Sequence, residues 1–377
     1  MRTSLRLLSK LTVLSLVLSG VGCTQTNSEQ SQATSEQPQI ETVSADEFPV
    51  VTSYSVLCDI AEQLAQTTVD LTCLIDAGQD PHTYSPTPAD RRAIEDAGLV
   101  LYGGYGFEPE IIQMVEATNT STPKVAVSEV AVSNPLLGEA HDHHAEGEVH
   151  AEETHAEDEA HDHHTEGEVH SEEAHTKGEA YAENEMVSDP HIWHDAKNGI
   201  AMVKIVQAQL SELSPENAEL YEANAETLIT QLEQLDTWIQ TQIDTVPDSN
   251  RTLITTHKAL GYYADAYGLE IEPALDSFST EVRPSAADIK ALTEVVETKS
   301  VPSIFVESTS NPGLIEAVSR ETDIVVSQDP IYADGLGEAS TPAASYQGML
   351  ITNTCTIVSG LGGTCNQNNA QALLPTQ

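Results

Sequence analysis

The sequence predicts an α/β fold of mostly parallel sheets covered by helices, with length enough for one large domain or for two lobes. Three observations carry this. Strand-like and helix-like segments alternate from Phe48 onward, one long amphipathic stretch divides an earlier set of alternations from a later one, and the most distinctive polar residues fall at or near the ends of predicted strands.

Taken in order, residues 1–23 stand outside the fold. Arg2, Arg6 and Lys10 form a basic start, and Leu11 to Leu18 (LTVLSLVL) an apolar core too short to span a bilayer, so the segment is expected to be a secretory signal. It ends in SGVGC, where Cys23 is a candidate for lipidation; Gly20 stands where a lipoprotein box usually has Leu, so plain cleavage nearby is the alternative. Residues 24–47, rich in Ser, Thr, Gln and Glu, predict a flexible linker.

From there PVVTSY predicts a strand, VLCDIAEQLAQ a helix, VDLTCLI a strand, PADRRAIEDAG a helix and LVLYGG a strand. These belong to a first lobe at 48–213. SPENAELYEANAETLITQLEQLDTWIQTQIDTV follows, with Ser214 as cap and Pro215 at the first helical position. Leu228, Leu232, Leu235, Ile239 and Ile243 share one helical face, so 214–246 predicts a helix of about 45 Å, suited to a strut between lobes. In 247–377 the alternation resumes: TLITT (strand), KALGYYADAY (helix, closed by Gly268), PSAADIKALTEVVET (helix), PSIFVE (strand), LIEAVSRET (helix) and DIVVS (strand).

The net charge of −45 argues against nucleic acid and anionic membrane surfaces as partners, and for soluble cations. Much of it is local: between Glu139 and Glu185 there are 17 carboxylates and one lysine, Lys177. Besides Cys23 there are four cysteines, Cys58, Cys73, Cys355 and Cys365. In an exported chain they suggest disulfides; of the three possible connectivities, the sequence-local pairs 58–73 and 355–365 are preferred.

Ten of the fourteen histidines lie in one tract, where HDHHAEGEVHAEETHAEDEA is followed by HDHHTEGEVHSEEAHTKGEA. The other four are His82 in GQDPHTYSPTPAD, His191 and His194 in SDPHIWHDAKN, and His257 after TLITT. Asp-Pro-His thus occurs twice, at 80–82 and 189–191, and proline stiffens each loop. The Asp of each tripeptide is expected to accept from a ring N–H, turning the other nitrogen toward a metal. His82, His257 and Asp334 (in PIYADGLG) follow predicted strands, where open α/β sheets bind ligands. Any one of these alone would be an ordinary loop histidine; together they favour a site.

GQDPHTYSPTPAD, DPHIW, THKALGYYADAYGL and YADGLG resemble the cluster A-I solute-binding proteins of metal-importing ABC transporters, of the zinc-uptake type, over roughly Phe48 to the end apart from the tract. The resemblance implies two α/β lobes, each a mostly parallel sheet covered by helices, joined by one long rigid helix, with the metal between them. It implies His82 and His191 as ligands from the first lobe and His257 and Asp334 from the second. Manganese binders of the family place a carboxylate where His257 stands, and imidazole suits zinc, so Zn2+ is the expected cargo. A membrane permease and, through it, an ATPase are the implied partners. The protein is expected to be a periplasmic or extracytoplasmic monomer, held to a membrane only if Cys23 is lipidated. His194, three residues past His191, is expected to be a surface histidine at the start of a helix, outside the ligand set, with an alternative ligand or a relay from the tract as the other readings.

The tract at 139–185 lacks apolar periodicity and predicts a disordered loop. Its imidazoles, His141, His143, His144, His150, His155, His161, His163, His164, His170 and His175, suit weaker accessory metal binding, as a collector or sensor; the bland alternative is a solvated acidic spacer. Two other classes compete: a zinc-dependent hydrolase, and a zinc buffer or adhesin without a transporter. HExxH, GxSxG and P-loop motifs are absent, which counts against an enzyme.

Overall fold

The computed structural model of the chain describes residues 48–139, 186–282, 284–299 and 301–375. The signal segment, Cys23, the linker and the ten tract histidines lie outside the described residues.

The first strand, β1 (Phe48–Thr52), leads through α1 (Ser55–Ala65) into β2 (Val69–Cys73). Then come α2 (Pro88–Asp96), β3 (Leu99–Tyr102), α3 (Pro109–Ala117), β4 (Lys124–Ala126) and the short α4 (Val127–Ala131). Parallel pairing sets the order β2-β1-β3-β4, so the strands share one carboxyl edge. The chain between β2 and α2 is fixed at its far end by a capping box. Thr87 Oγ1 accepts from the Ala89 and Asp90 amides while Asp90 accepts from the Thr87 amide, and Pro88 fills the first helical position.

β5 (Leu137–Glu139) and β6 (Met186–Ser188) pair antiparallel at the two roots of the histidine-rich tract. A 3₁₀ turn, Ile192–His194, precedes α5 (Ala196–Leu213). Ser214 and Pro215 open not an α-helix but a second 3₁₀ turn, Pro215–Asn217, and α6 (Ala218–Ile243) follows with 26 residues, about 39 Å. Its buried face includes Leu228, Leu232, Leu235, Ile239 and Ile243.

Beyond α6, β7 (Thr252–Thr255) runs to α7 (Gly261–Tyr267), which Gly268 ends in the left-handed region at φ 73°. The remaining elements are β8 (Glu270–Pro273), α8 (Ala286–Lys299), β9 (Ser303–Ile304), α9 (Gly313–Thr322), β10 (Val325–Val326) and α10 (Tyr346–Gly360). β7 pairs parallel with β8, and β9 with β10. The Phe305 amide, just past β9, donates to Ile254 O of β7 at 3.0 Å, so the two pairs lie side by side.

The main core runs from Val50 through the apolar face of α6 to Leu373, and α6 packs on both α1 and α10. Smaller clusters lie around Ile254 and Leu292 in the second half and around Val51 and Ile94 in the first. Cys58–Cys73 and Cys355–Cys365 are disulfides, with Cα atoms 5.7 and 5.2 Å apart, the two local pairs preferred from the sequence. Among the described residues no helix is long and apolar enough to cross a membrane.

Candidate metal centre

His82, His191, His257 and Asp334 come together, all buried, each offering one donor atom within 4.8 Å of the others. His82 lies in the loop after β2, where Pro81 and the α2 capping box fix the backbone on either side. His191 immediately precedes the 3₁₀ turn before α5. His257 sits two residues past β7, and Asp334 follows β10 in the loop toward α10. Two of these positions are thus supplied by each half of the chain.

One oxygen is common to the set. Asp334 Oδ1 stands 3.4 Å from His82 Nε2, 3.3 Å from His191 Nε2 and 3.2 Å from His257 Nε2, while His82 Nε2 and His191 Nε2 are 3.3 Å apart. Donors at about 2.0–2.1 Å from a tetrahedral zinc are separated by about 3.3–3.4 Å, so these four edges match such a site. Asp334 Oδ1 and His257 Nε2 are moreover buried without a hydrogen bond among the described residues: they are close but not aligned on each other. Buried polar atoms are almost always paired, and a cation at the common centre is the partner that would satisfy both.

The ring orientations have identifiable causes. His191 Nδ1 donates to Asp189 Oδ1 at 2.9 Å, and His257 Nδ1 to Glu307 Oε2 at 2.5 Å. A carboxylate only accepts, so each Nδ1 carries a proton and each ring turns its Nε2 to the centre, where a lone pair is offered once any proton on that nitrogen is displaced. Glu307, buried just past β9, also accepts from the Thr256 and His257 amides and from Ser310. Thr309 donates to Asp334 Oδ2, leaving Oδ1 free to face the imidazoles. Asp189 plays the part expected of it. Asp80 does not: its oxygens are taken by the His82 amide at 2.9 Å and, across the two halves, by Thr280 at 2.6 Å.

Charge follows this arrangement. Burial depresses His257, but Glu307 and Asp334 outweigh it and hold the ring well above the ordinary histidine value. His191 is raised in the same way, with burial opposed by Asp189 and Asp334. His82 is lowered by burial, which its Asp334 contact does not overcome. Asp334, which burial alone would raise, is held well below the carboxylate range by His257, His191 and His82.

His194 is not the surface residue expected. It is fully buried, and its Nε2 donates to Ala333 O at 2.7 Å. The bond spans 139 residues of sequence, which is why the local pattern DPHIWH could not disclose it. Burial lowers its pKa to about 3, so the ring is neutral. Glu307 and Thr309 were also not foreseen; a carboxylate ending the strand PSIFVE was the available signal for Glu307.

An α/β chain of parallel strands with a buried His3Asp cluster in the loops beyond them defines a metal-binding protein of the solute-capturing kind. By family comparison, residues 50–360 match the family described as zinc-uptake complex component A, periplasmic (ZnuA), and the chain belongs to it. This is a family of substrate-binding components of metal importers, not of enzymes. Similar proteins include the manganese-binding lipoprotein MntA of Halalkalibacterium halodurans, 27% identical over 93% of this chain and 96% of the relative. The zinc-binding protein TroA of Treponema pallidum is 28% identical over 83% of this chain and 88% of TroA. The manganese ABC transporter substrate-binding lipoprotein PsaA of Streptococcus pneumoniae is 28% identical over 85% and 91%. The solved structure of TroA superimposes with a TM-score of 0.68 at 27% identity, covering 84% of this chain and 99% of TroA.

Proposed function

We propose that this chain captures Zn2+ outside the inner membrane and delivers it to the permease of an ABC importer. His82, His191, His257 and Asp334 are the proposed ligands. The observation that carries the reading is the donor set itself, three Nε2 lone pairs and one carboxylate oxygen with edges of 3.2–3.4 Å. Three imidazoles favour zinc, whereas manganese prefers a larger share of oxygen. The names of MntA and PsaA support manganese as the second reading, and that of TroA supports zinc.

In this reading residues 48–213 and 247–377 act as the two lobes, α6 is the strut between them, and the ion is released when the permease favours a state with the donors parted. The chain works as a monomer, tethered by Cys23 if lipidated, and the tract at 139–185 binds metal weakly, as a collector or sensor. The test is metal titration, with mass spectrometry of the bound ion, on the intact protein, on a protein lacking 139–185, and on His257→Ala. One tight zinc that survives the deletion and is lost in His257→Ala is expected. Tight zinc persisting in His257→Ala, or a preference for manganese in the intact protein, would overturn the assignment.

A further inference from the structure

We propose that His194 is a positioning residue, holding Asp334 against the ion and thereby setting how fast the cargo leaves. The proposal rests on the metal-binding reading above and concerns a residue outside the ligand set.

A carbonyl oxygen only accepts, so His194 Nε2 must carry the proton it gives to Ala333 O at 2.7 Å. Nδ1 is then a bare acceptor, buried and without a hydrogen-bond partner among the described residues. An apolar residue of similar size would remove the bare Nδ1 but would leave the buried Ala333 carbonyl without its donor, so the ring's role is that one bond. What the ring does provide is a bond from the turn that follows His191 to the peptide immediately before Asp334.

That bond completes a set. On the far side of Asp334, the Leu336 amide donates to Ser55 Oγ at 2.9 Å, and the Gly78 amide donates to Leu336 O at 3.0 Å. Gly335 makes the approach possible, since a Cβ there would stand 2.7 Å from Ser55 Oγ. The backbone flanking Asp334 is therefore held on both sides by residues of the first half, although Asp334 belongs in sequence to the second. With His194 removed, Tyr332 stays tied to Asn353 through both its N–H and its C=O, and the Leu336 side stays fixed, but the 333–334 peptide between them loses its donor and can turn. Oδ1 lies 3.2–3.4 Å from all three imidazoles, so a small drift there loosens the whole site.

The test uses the full chain loaded with zinc, with release followed by rapid mixing with a chelator, and the unfolding midpoint of the metal-free protein measured in parallel. His194→Leu keeps apolar bulk but cannot donate, and should release zinc on the order of tenfold faster, the effect of one lost hydrogen bond. His194→Gln puts an amide N–H where Nε2 was and should restore most of the slow release. In Asp334→Ala the further change His194→Leu should alter nothing, because the group it positions is gone.

Parent-like release from His194→Leu would overturn the proposal, as would equal acceleration with and without Asp334. So would loss of midpoint in both His194 variants without rescue by Gln, which would make the ring a packing residue. Failure of the zinc assignment shows separately, as tighter manganese binding by the parent, and the same coupling is then read with manganese.

Discussion

The two halves hold their donors by different means. In the first half, control is local: His82 and His191 each follow a proline, and Asp189 binds the His191 ring from only two residues away. In the second half it is long-range: Glu307, 50 residues from His257, accepts from that ring and from two backbone amides, and Thr309, 25 residues back, steers Asp334. A stiff loop presets a ring through its own backbone, whereas a carboxylate network presets it only when the sheet has assembled. The first-half site should therefore tolerate loss of its supporting acid better than the second.

Acidity tests both halves at once and should have the largest effect. In the metal-free protein His191 and His257 lie above the ordinary value near 6.5, so they already bind protons near neutrality, and zinc must displace them. Affinity then falls as pH falls, by up to about tenfold per pH unit for each proton displaced. His82, held low, adds to the loss only in stronger acid. Titrations between pH 8 and 5 check this, and a flat profile would argue against imidazole ligation.

Next in size, Glu307→Gln should weaken zinc by about a hundredfold and flatten the pH profile, the upper end of what supporting carboxylates contribute. Asp189→Asn should cost nearer tenfold by the same titration, since Pro190 and the turn still aim the ring. Equal losses in the two variants would remove the distinction between the halves. Thr280→Val breaks the bond to Asp80 that crosses between them, and should speed zinc release about fivefold or less with little change in unfolding midpoint.

Much of this was legible before folding because it is periodic or punctuated. The β/α alternation picked out most of the parallel strands, the leucine and isoleucine face placed α6, and Asp-Pro-His with the strand-end rule picked out the four clustered residues. α10 was not foreseen because its sequence, YQGMLITNTCTIVSG, is buried on nearly every side and shows no amphipathic stripe. Glu307 escaped because one carboxylate among so many carries no sequence signal of its own. His194 was misjudged because its partner lies in a loop 139 residues away.

The spacing of the four donors also works as a caliper. An ion needing contacts of about 2.3–2.6 Å, as calcium does, would push the tetrahedral edges out to about 3.8–4.2 Å. Each such stretch strains a different anchor: Asp189 behind one ring, Glu307 behind another, Thr309 behind the carboxylate. Ionic radius would thereby be converted into tension on the scaffold, and an oversized guest is expected to bind more weakly, which competition of calcium against zinc would measure.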